Sequence, residues 1–203
     1  MCGIAGANGI DSLQDVNKMV MQIKHRGPDG DDVMSTEAAT LGHTRLAIVD
    51  LERGDQPLQL GDAWITFNGE IYNHMILREK HMKGSKFGTH TDTETVLRLY
   101  QQYGPKSVEL LDGMFAFAIS WQNELFLARD PLGIKPLYWG CKDGESLYYA
   151  SEVKALALVT DNIQEFPAGH FYHSQQGWQQ YYTVERSLYI RRSECLGEKH
   201  DNV

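Results

Sequence analysis

The chain opens Met1-Cys2-Gly3-Ile4-Ala5-Gly6-Ala7, and the reading of the whole molecule turns on this stretch. Ile4-Ala5-Gly6-Ala7 is a run of apolar and small side chains, which predicts a buried strand. Directly ahead of it stands a cysteine. Methionine aminopeptidase trims an initiator Met when the next residue is small, and Cys qualifies. The processed chain would then carry a thiol and a free α-amine on one residue. With reference pKa values of about 7.7–8.0 for the amine and about 8.5 for the thiol, the amine can accept the thiol proton near neutral pH. Nucleophile and general base are then tethered together. The other reading of Cys2 is a small buried apolar residue at the start of a strand, and the opening stretch leaves both readings standing.

Working outward, Ser12 is placed to cap a helix, with Asp15 in the capping-box position. Leu13, Val16, Val20 and Ile23 follow at helical spacing, and the turn-rich loop 25–30 stops the helix. Residues 41–49 read as extended. Residues 64–67 read as a short strand running into Asn68-Gly69, a dipeptide that marks a tight turn. A second helix begins near Thr91, presents Val96, Leu97, Leu99, Tyr100 and Tyr103, and ends at Gly104-Pro105. Strands follow at 114–121, 124–128, 137–140, 147–150, 171–174 and 178–182, with turns at Gln122-Asn123, Asp143-Gly144 and Gln175-Gln176-Gly177, and one short helix within 152–159. Many antiparallel strands with two or three helices kept apart from them make a layered α+β domain.

Composition bounds the function. The 203 residues suit one medium domain or two small ones, with 42% apolar and 23% charged residues as in an ordinary globular protein. A net charge of -8 without a basic cluster argues against nucleic acid and anionic membrane surfaces as partners. The cysteines, Cys2, Cys141 and Cys195, are odd in number and widely spaced, which argues against a disulfide framework and fits a reducing cytosol. The N-terminus lacks the basic and apolar pattern of a secretory leader, and the longest apolar run, 114–119, is too short to span a bilayer, so a cytoplasmic location is expected. Position 2 is not Gly, which excludes myristoylation. Phosphate loops, dinucleotide fingerprints, C-x-x-C pairs, H-E-x-x-H and G-x-S-x-G are absent, and the eight histidines lack metal-ligand spacing.

Further blocks follow the opening in order. They are His25-Arg26-Gly27-Pro28-Asp29, Arg45-Leu46-Ala47-Ile48-Val49-Asp50, Asn68-Gly69-Glu70-Ile71-Tyr72-Asn73 and Thr91-Asp92-Thr93-Glu94. Then come Asp112-Gly113-Met114-Phe115-Ala116-Phe117, Arg129-Asp130-Pro131-Leu132-Gly133-Ile134-Lys135-Pro136-Leu137-Tyr138, Ala150-Ser151-Glu152-Val153-Lys154-Ala155-Leu156 and Pro167-Ala168-Gly169-His170. Together they resemble the class II glutamine amidotransferases of the N-terminal-nucleophile hydrolase superfamily, and within them the glutaminase domain of glutamine-hydrolysing asparagine synthetases. The resemblance spans residues 2–182 and implies a four-layer αββα sandwich of antiparallel sheets. It implies roles as well. Cys2 matches the nucleophile that attacks the side-chain amide of glutamine. The Asn68 amide and the Gly69 N–H match the oxyanion hole. Arg45 matches the partner of the glutamine α-carboxylate. Leu46, Ala47, Ile48 and Val49 line the same substrate stretch, where Ile48 and Val49 offer backbone groups. Asp92 matches the carboxylate that holds the α-ammonium, with Glu70 nearby; a helix N-cap is the other role open to Asp92. Arg26 fits a structural role, and Cys141 a strand position.

The implied half-reaction needs no cofactor or metal. ATP and Mg belong to the synthetase domain of that family, whose S-G-G-x-D-S pyrophosphate loop does not occur in this sequence. The domain is expected over residues 2–185, with 186–203 a tail of unassigned role. The chain reads as an excised domain, a truncated product or a stand-alone glutaminase. L-glutamine and a synthetase domain or subunit are the implied partners, and a homodimer is left open. Two other readings remain: a glutamine-binding module with little turnover, and an N-terminal-nucleophile amidase for another amide. Arg45 with Asp92, one for a carboxylate and one for an ammonium, favours an α-amino acid.

Overall fold

The computed structural model describes all residues except 10, 11, 48, 49, 51–53, 145 and 185–203. The opening stretch forms β1 (Gly3–Asn8), an inner strand of the first sheet. That sheet runs in the order β10 (Ile163–Glu165), β8 (Tyr138–Lys142), β9 (Ser146–Ala150), β1, β3 (Ala39–Arg45) and β2 (Gly30–Ser35). The second sheet runs β12 (Gly177–Gln180), β11 (His170–His173), β7 (Glu124–Arg129), β6 (Gly113–Trp121), β5 (Ala63–Ile71) and β4 (Leu58–Leu60). Each of these neighbouring pairs with a recorded register is antiparallel.

Side-chain alternation stacks the layers. Ala5 and Ala7 of β1 pack under α1 (Leu13–Gln22) against Val16, Met19 and Val20, and Ala155 and Leu156 of α4 (Val153–Leu156) join them. Ile4, on the other face, meets Leu41, Tyr149, Ala116 and Leu127 in the core between the sheets. The outer face of the second sheet buries Ile65, Phe67 and Ile71 against Leu77 of α2 (His74–His81) and Val96, Leu97, Leu99 and Tyr100 of α3 (Asp92–Tyr103). The result is the αββα sandwich that the resemblance implied. Small residues on β1 are a packing requirement: a Cβ on Gly6 would run into the Tyr149 hydroxyl and the Thr40 carbonyl.

Several local expectations need correction. Asn68-Gly69 is not a turn. Both residues lie inside β5, opposite Ala116 and Phe115 of β6. Glycine is needed there for close approach, since a Cβ on Gly69 would strike the Met114 carbonyl and come within 2.8 Å of the Phe115 Cα. The extended segment expected over 41–49 ends as a strand at Arg45, and Ile48 and Val49 lie outside the described residues. Ser12 occupies the N-cap of α1, but the capping box does not form. Its hydroxyl bonds Gly9 O and Thr40 Oγ1, and Asp15 pairs instead with Lys142 and Lys18. Strands β2, β4 and β10 and helix α2 were not expected. The strands are short or polar pieces at sheet edges, and α2 buries only Leu77. That helix is held by Arg78, which donates to Thr95 Oγ1 and to the Thr89 and Thr91 carbonyls. The turns at Gln122-Asn123 and Asp143-Gly144 do form, with positive φ at all four residues. Cys141 lies on β8 as expected, whereas Cys195 and the tail lie outside the described residues.

Candidate active site

Cys2 stands one residue before β1. The register that pairs Gly3 with Thr44 sets it across from Arg45, on the face that Ile4 turns toward the second sheet. The Leu46 N–H donates to Cys2 Sγ at 3.4 Å, and the thiol approaches the Leu46 carbonyl at 3.7 Å. The backbone around the thiol is clamped. Arg26 Nε donates to the Cys2 carbonyl at 3.0 Å. Ile4 N–H donates to Ser151 Oγ at 2.9 Å, and Ser151 N–H donates back to the Ile4 carbonyl at 2.8 Å. Arg26 is in turn paired to Glu152, which also meets His25 and Lys154. Burial pushes the Glu152 carboxyl up, but Arg26, Lys154 and His25 hold it below its usual range. The structural role expected for Arg26 is therefore specific: it ties the Cys2 carbonyl to the start of α4. With Met1 in place, the Cys2 nitrogen is a peptide nitrogen, and the Met1 thioether meets the buried Lys135 ammonium at 3.7 Å.

The second sheet supplies donors. Just past β5, Tyr72 N–H closes the β6 side by donating to Asp112 O. Phe67 N–H and Ile71 N–H point the other way, to Gln56 Oε1 at 2.6 Å and Asp92 Oδ2 at 2.8 Å. Gly69 lies between them with the same parity, so its N–H points to that same edge, which β4 covers only as far as Ile65. Asn68 turns its side chain toward the first sheet. It is 2% exposed, and its Nδ2 has no hydrogen-bond partner. A buried amide donor left unpaired costs about 1–3 kcal/mol unless an acceptor is supplied. Glu70, two residues on and on the same face, is exposed.

Of the residues expected to read an amino acid, Arg45 and the segment leading to Asp92 are linked through Asp50. Arg45 donates to Asp55 Oδ1 and to the Asp50 carbonyl, both at 2.8 Å. The Asp50 carboxylate accepts the His90 N–H, two residues before Asp92, so Asp50 ties the arginine to the entry of α3. Asp92 is the first residue of that helix, with Thr91 at the N-cap position. Burial raises its carboxyl above the usual range, against the hydrogen bond from Ile71. Leu46 is engaged through its backbone by the thiol. The Ala47 N–H is held by Asp29 Oδ2, whose own N–H donates to the Arg45 carbonyl. The roles of Glu152, Ser151, Asp29, Asp50 and Gln56 were not read from the sequence, although the first four stand inside the quoted blocks. Among the described residues no group of three or more His, Cys, Asp or Glu side chains is placed to hold a metal. No helix there is long and apolar enough to cross a membrane.

Comparison with known proteins bears on the chain as a whole. A family model described as a glutamine amidotransferase domain matches residues 1–189. Asparagine synthetase [glutamine-hydrolyzing] 2 of Arabidopsis thaliana is 42% identical over 186 residues, covering 87% of this chain and 32% of that protein. Asparagine synthetase B of Escherichia coli (strain K12) is also 42% identical, over 87% of this chain and 34% of its own length. The chain thus spans about a third of the curated relatives it matches. The solved glutamine phosphoribosylpyrophosphate amidotransferase of B. subtilis superposes with a TM-score of 0.76 at 24% identity, over 90% of this chain and 50% of that one; it shares the N-terminal-nucleophile fold. The chain belongs to the glutamine amidotransferase domain family.

Proposed function

We propose that this chain, once Met1 is removed, hydrolyses the side-chain amide of L-glutamine to glutamate and ammonia. The observation that carries the reading is the pair of donors on β5. The buried, unpartnered Asn68 Nδ2 and the edge-facing Gly69 N–H stand on the strand that faces the Cys2 layer. In the proposed reaction the freed Cys2 amine, through a water, takes the thiol proton, and the thiolate adds to the carboxamide carbon. The oxyanion receives hydrogen bonds from Asn68 and Gly69. The C–N bond then breaks, the amine returns the proton to the departing nitrogen, and ammonia leaves a γ-glutamyl thioester. Water adds to the thioester, the C–S bond breaks, and glutamate and the free thiol result. Arg45 receives the α-carboxylate, exchanging its exposed Asp55 partner for it, while Asp92 and Glu70 receive the α-ammonium, with the backbone of Leu46 and Ala47 alongside. The half-reaction uses no cofactor.

The test is glutamate release by purified protein whose N-terminal mass shows Cys2 exposed, with Cys2→Ala beside it. Turnover in the first and none in the second is expected. Binding of glutamine without turnover by a chain that begins at Cys2 overturns the enzymatic reading in favour of a binding module.

We further propose that the odd, widely spaced cysteines mark a cytoplasmic protein, and that it supplies its ammonia to a synthetase domain or subunit. Two features support this: the chain spans about a third of its relatives, and exposed Tyr72, Leu132, Ile134 and Tyr182 rim a cleft of about 480 Å³. Mixing the chain with a synthetase half that lacks its own glutaminase should yield glutamine-dependent asparagine; ammonia-dependent synthesis alone would count against it.

A further inference from the structure

Asn68 is not alone between the sheets. His43, Thr66 and Tyr149 are also buried there; the His43 ring is set against the Phe67 backbone and the Tyr149 hydroxyl against Thr66, yet by strict hydrogen-bond geometry none of their side-chain polar atoms has a partner. These groups are neighbours. His43 stands on β3 opposite Ile4 and shares the inward face of Leu41. It lies against the backbone of Phe67, the residue between Thr66 and Asn68, whose side chains both turn inward. Tyr149, on β9, approaches the Thr66 side chain, and its hydroxyl sits over Gly6. A polar seam therefore runs Tyr149, Thr66, His43, Asn68 through the interlayer and ends at the proposed oxyanion donor.

Such a seam is costly unless it is satisfied. Asn68 shows what satisfies it. A carboxamide nitrogen carries two hydrogens, and an oxyanion takes one. The terminal torsion of Asn is soft, so the direction of the first hydrogen depends on where the second is held. Nothing bonded to Asn68 Nδ2 in the protein holds it. A neutral imidazole offers one donor and one acceptor. Burial keeps His43 in that form, pushing its pKa down to about 3, with the Phe67 backbone opposing and the Arg45 guanidinium adding to the shift. The acceptor nitrogen is thus available across any working pH.

We propose that His43 is a positioning residue for the glutaminase reaction: its acceptor nitrogen takes the second hydrogen of Asn68 Nδ2, directly or across one bound water, and so aims the first at the developing oxyanion. Thr66 and Tyr149 supply the further polar partners that such a water needs. The proposal rests on the reading of Asn68 as an oxyanion donor.

The experiment is a double-mutant cycle on the processed enzyme, measuring kcat, KM and melting temperature for His43→Leu, His43→Gln, Asn68→Ala and His43→Leu with Asn68→Ala. Asn68→Ala should lower kcat about 100-fold or more. His43→Leu should lower kcat by roughly tenfold with KM changed less than about twofold, because it misaims a donor used in the transition state. His43→Gln, which restores a neutral acceptor, should recover most of that loss. In the Asn68→Ala background the His43 change should cost less than about twofold, since the two act through one hydrogen bond. If His43→Leu does not fold, His43→Met, a flexible filler of similar size, replaces it in the cycle. A His43 variant with unchanged kcat, or with the same loss in both backgrounds, overturns the proposal and leaves the seam a packing feature. An Asn68→Ala enzyme with unchanged kcat overturns the oxyanion reading itself, and the proposal with it.

Discussion

The strands that carry the two halves of the site are built differently. β1, behind Cys2, is paired along both edges, to β3 and β9, and its Ile4 exchanges two hydrogen bonds with Ser151. β5, which carries Asn68 and Gly69, is paired fully only to β6. Along its other edge β4 stops at Ile65, and single side chains, Gln56 and Asp92, accept the next N–H groups on either side of Gly69. The proposed nucleophile, which must not wander, stands just ahead of a strand held along both edges. An oxyanion hole needs an N–H that no neighbouring strand has claimed, and the proposed one lies where the ladder gives out. The comparison predicts that damage to β1 acts mainly on stability and damage to the open edge of β5 mainly on rate.

The harshest way to break the comparison is acid, which acts between the two strands. His43 is neutral in the folded protein down to about pH 3, whereas the unfolded chain takes the proton near 6.5. A depressed folded pKa gives stability that is present above the unfolded value and lost as pH falls. The loss should begin below about pH 6.5, grow by about 1.4 kcal/mol per pH unit, and reach about 4 kcal/mol near pH 3. Urea unfolding of the wild type and His43→Gln across this window checks it: the variant's stability should fall less by about this amount. Parallel curves would mean that the imidazole is not desolvated and that the layers do not close over it.

How far this contrast could be read in advance differs for the two strands. β1 was legible because Ile4-Ala5-Gly6-Ala7 is small and apolar throughout, as a strand covered on both faces must be. Cys2 was legible through its position. Asn68 and Gly69 were legible as site residues but not in their geometry. Asn-Gly is the dipeptide of a two-residue turn, and local preference said turn. Pairing with Ala116 and Phe115 overrode it, because the backbone of β6 needs the space that only glycine leaves. The supports were not legible at all. Ser151, Glu152 and Asp29 act across 147, 126 and 18 residues of chain, and no periodicity in a single sequence records such a contact. His43 stood in a segment expected to be extended, but its neighbour across the layer is set by how two sheets stack, which strand alternation does not specify.

The last prediction sets the two edges against each other directly. Ser151→Ala removes the acceptor of Ile4 N–H in a site where both residues are fully buried. The orphaned donor should cost about 1–3 kcal/mol of stability. Gln56→Ala removes the acceptor of Phe67 N–H, but at an edge that no strand covers, where water can take its place. The stability cost there should be only about 0.5–1.5 kcal/mol. Activity should follow the opposite order once each variant is assayed well below its melting temperature. Gln56→Ala loosens the segment two residues from Gly69, and its kcat should fall further for each degree of melting temperature lost than that of Ser151→Ala. Thermal melts and steady-state kinetics on the two variants are enough. An equal loss of stability would show that the β5 edge is as closed as β1, and the Gly69 N–H would then have no claim to be a free donor.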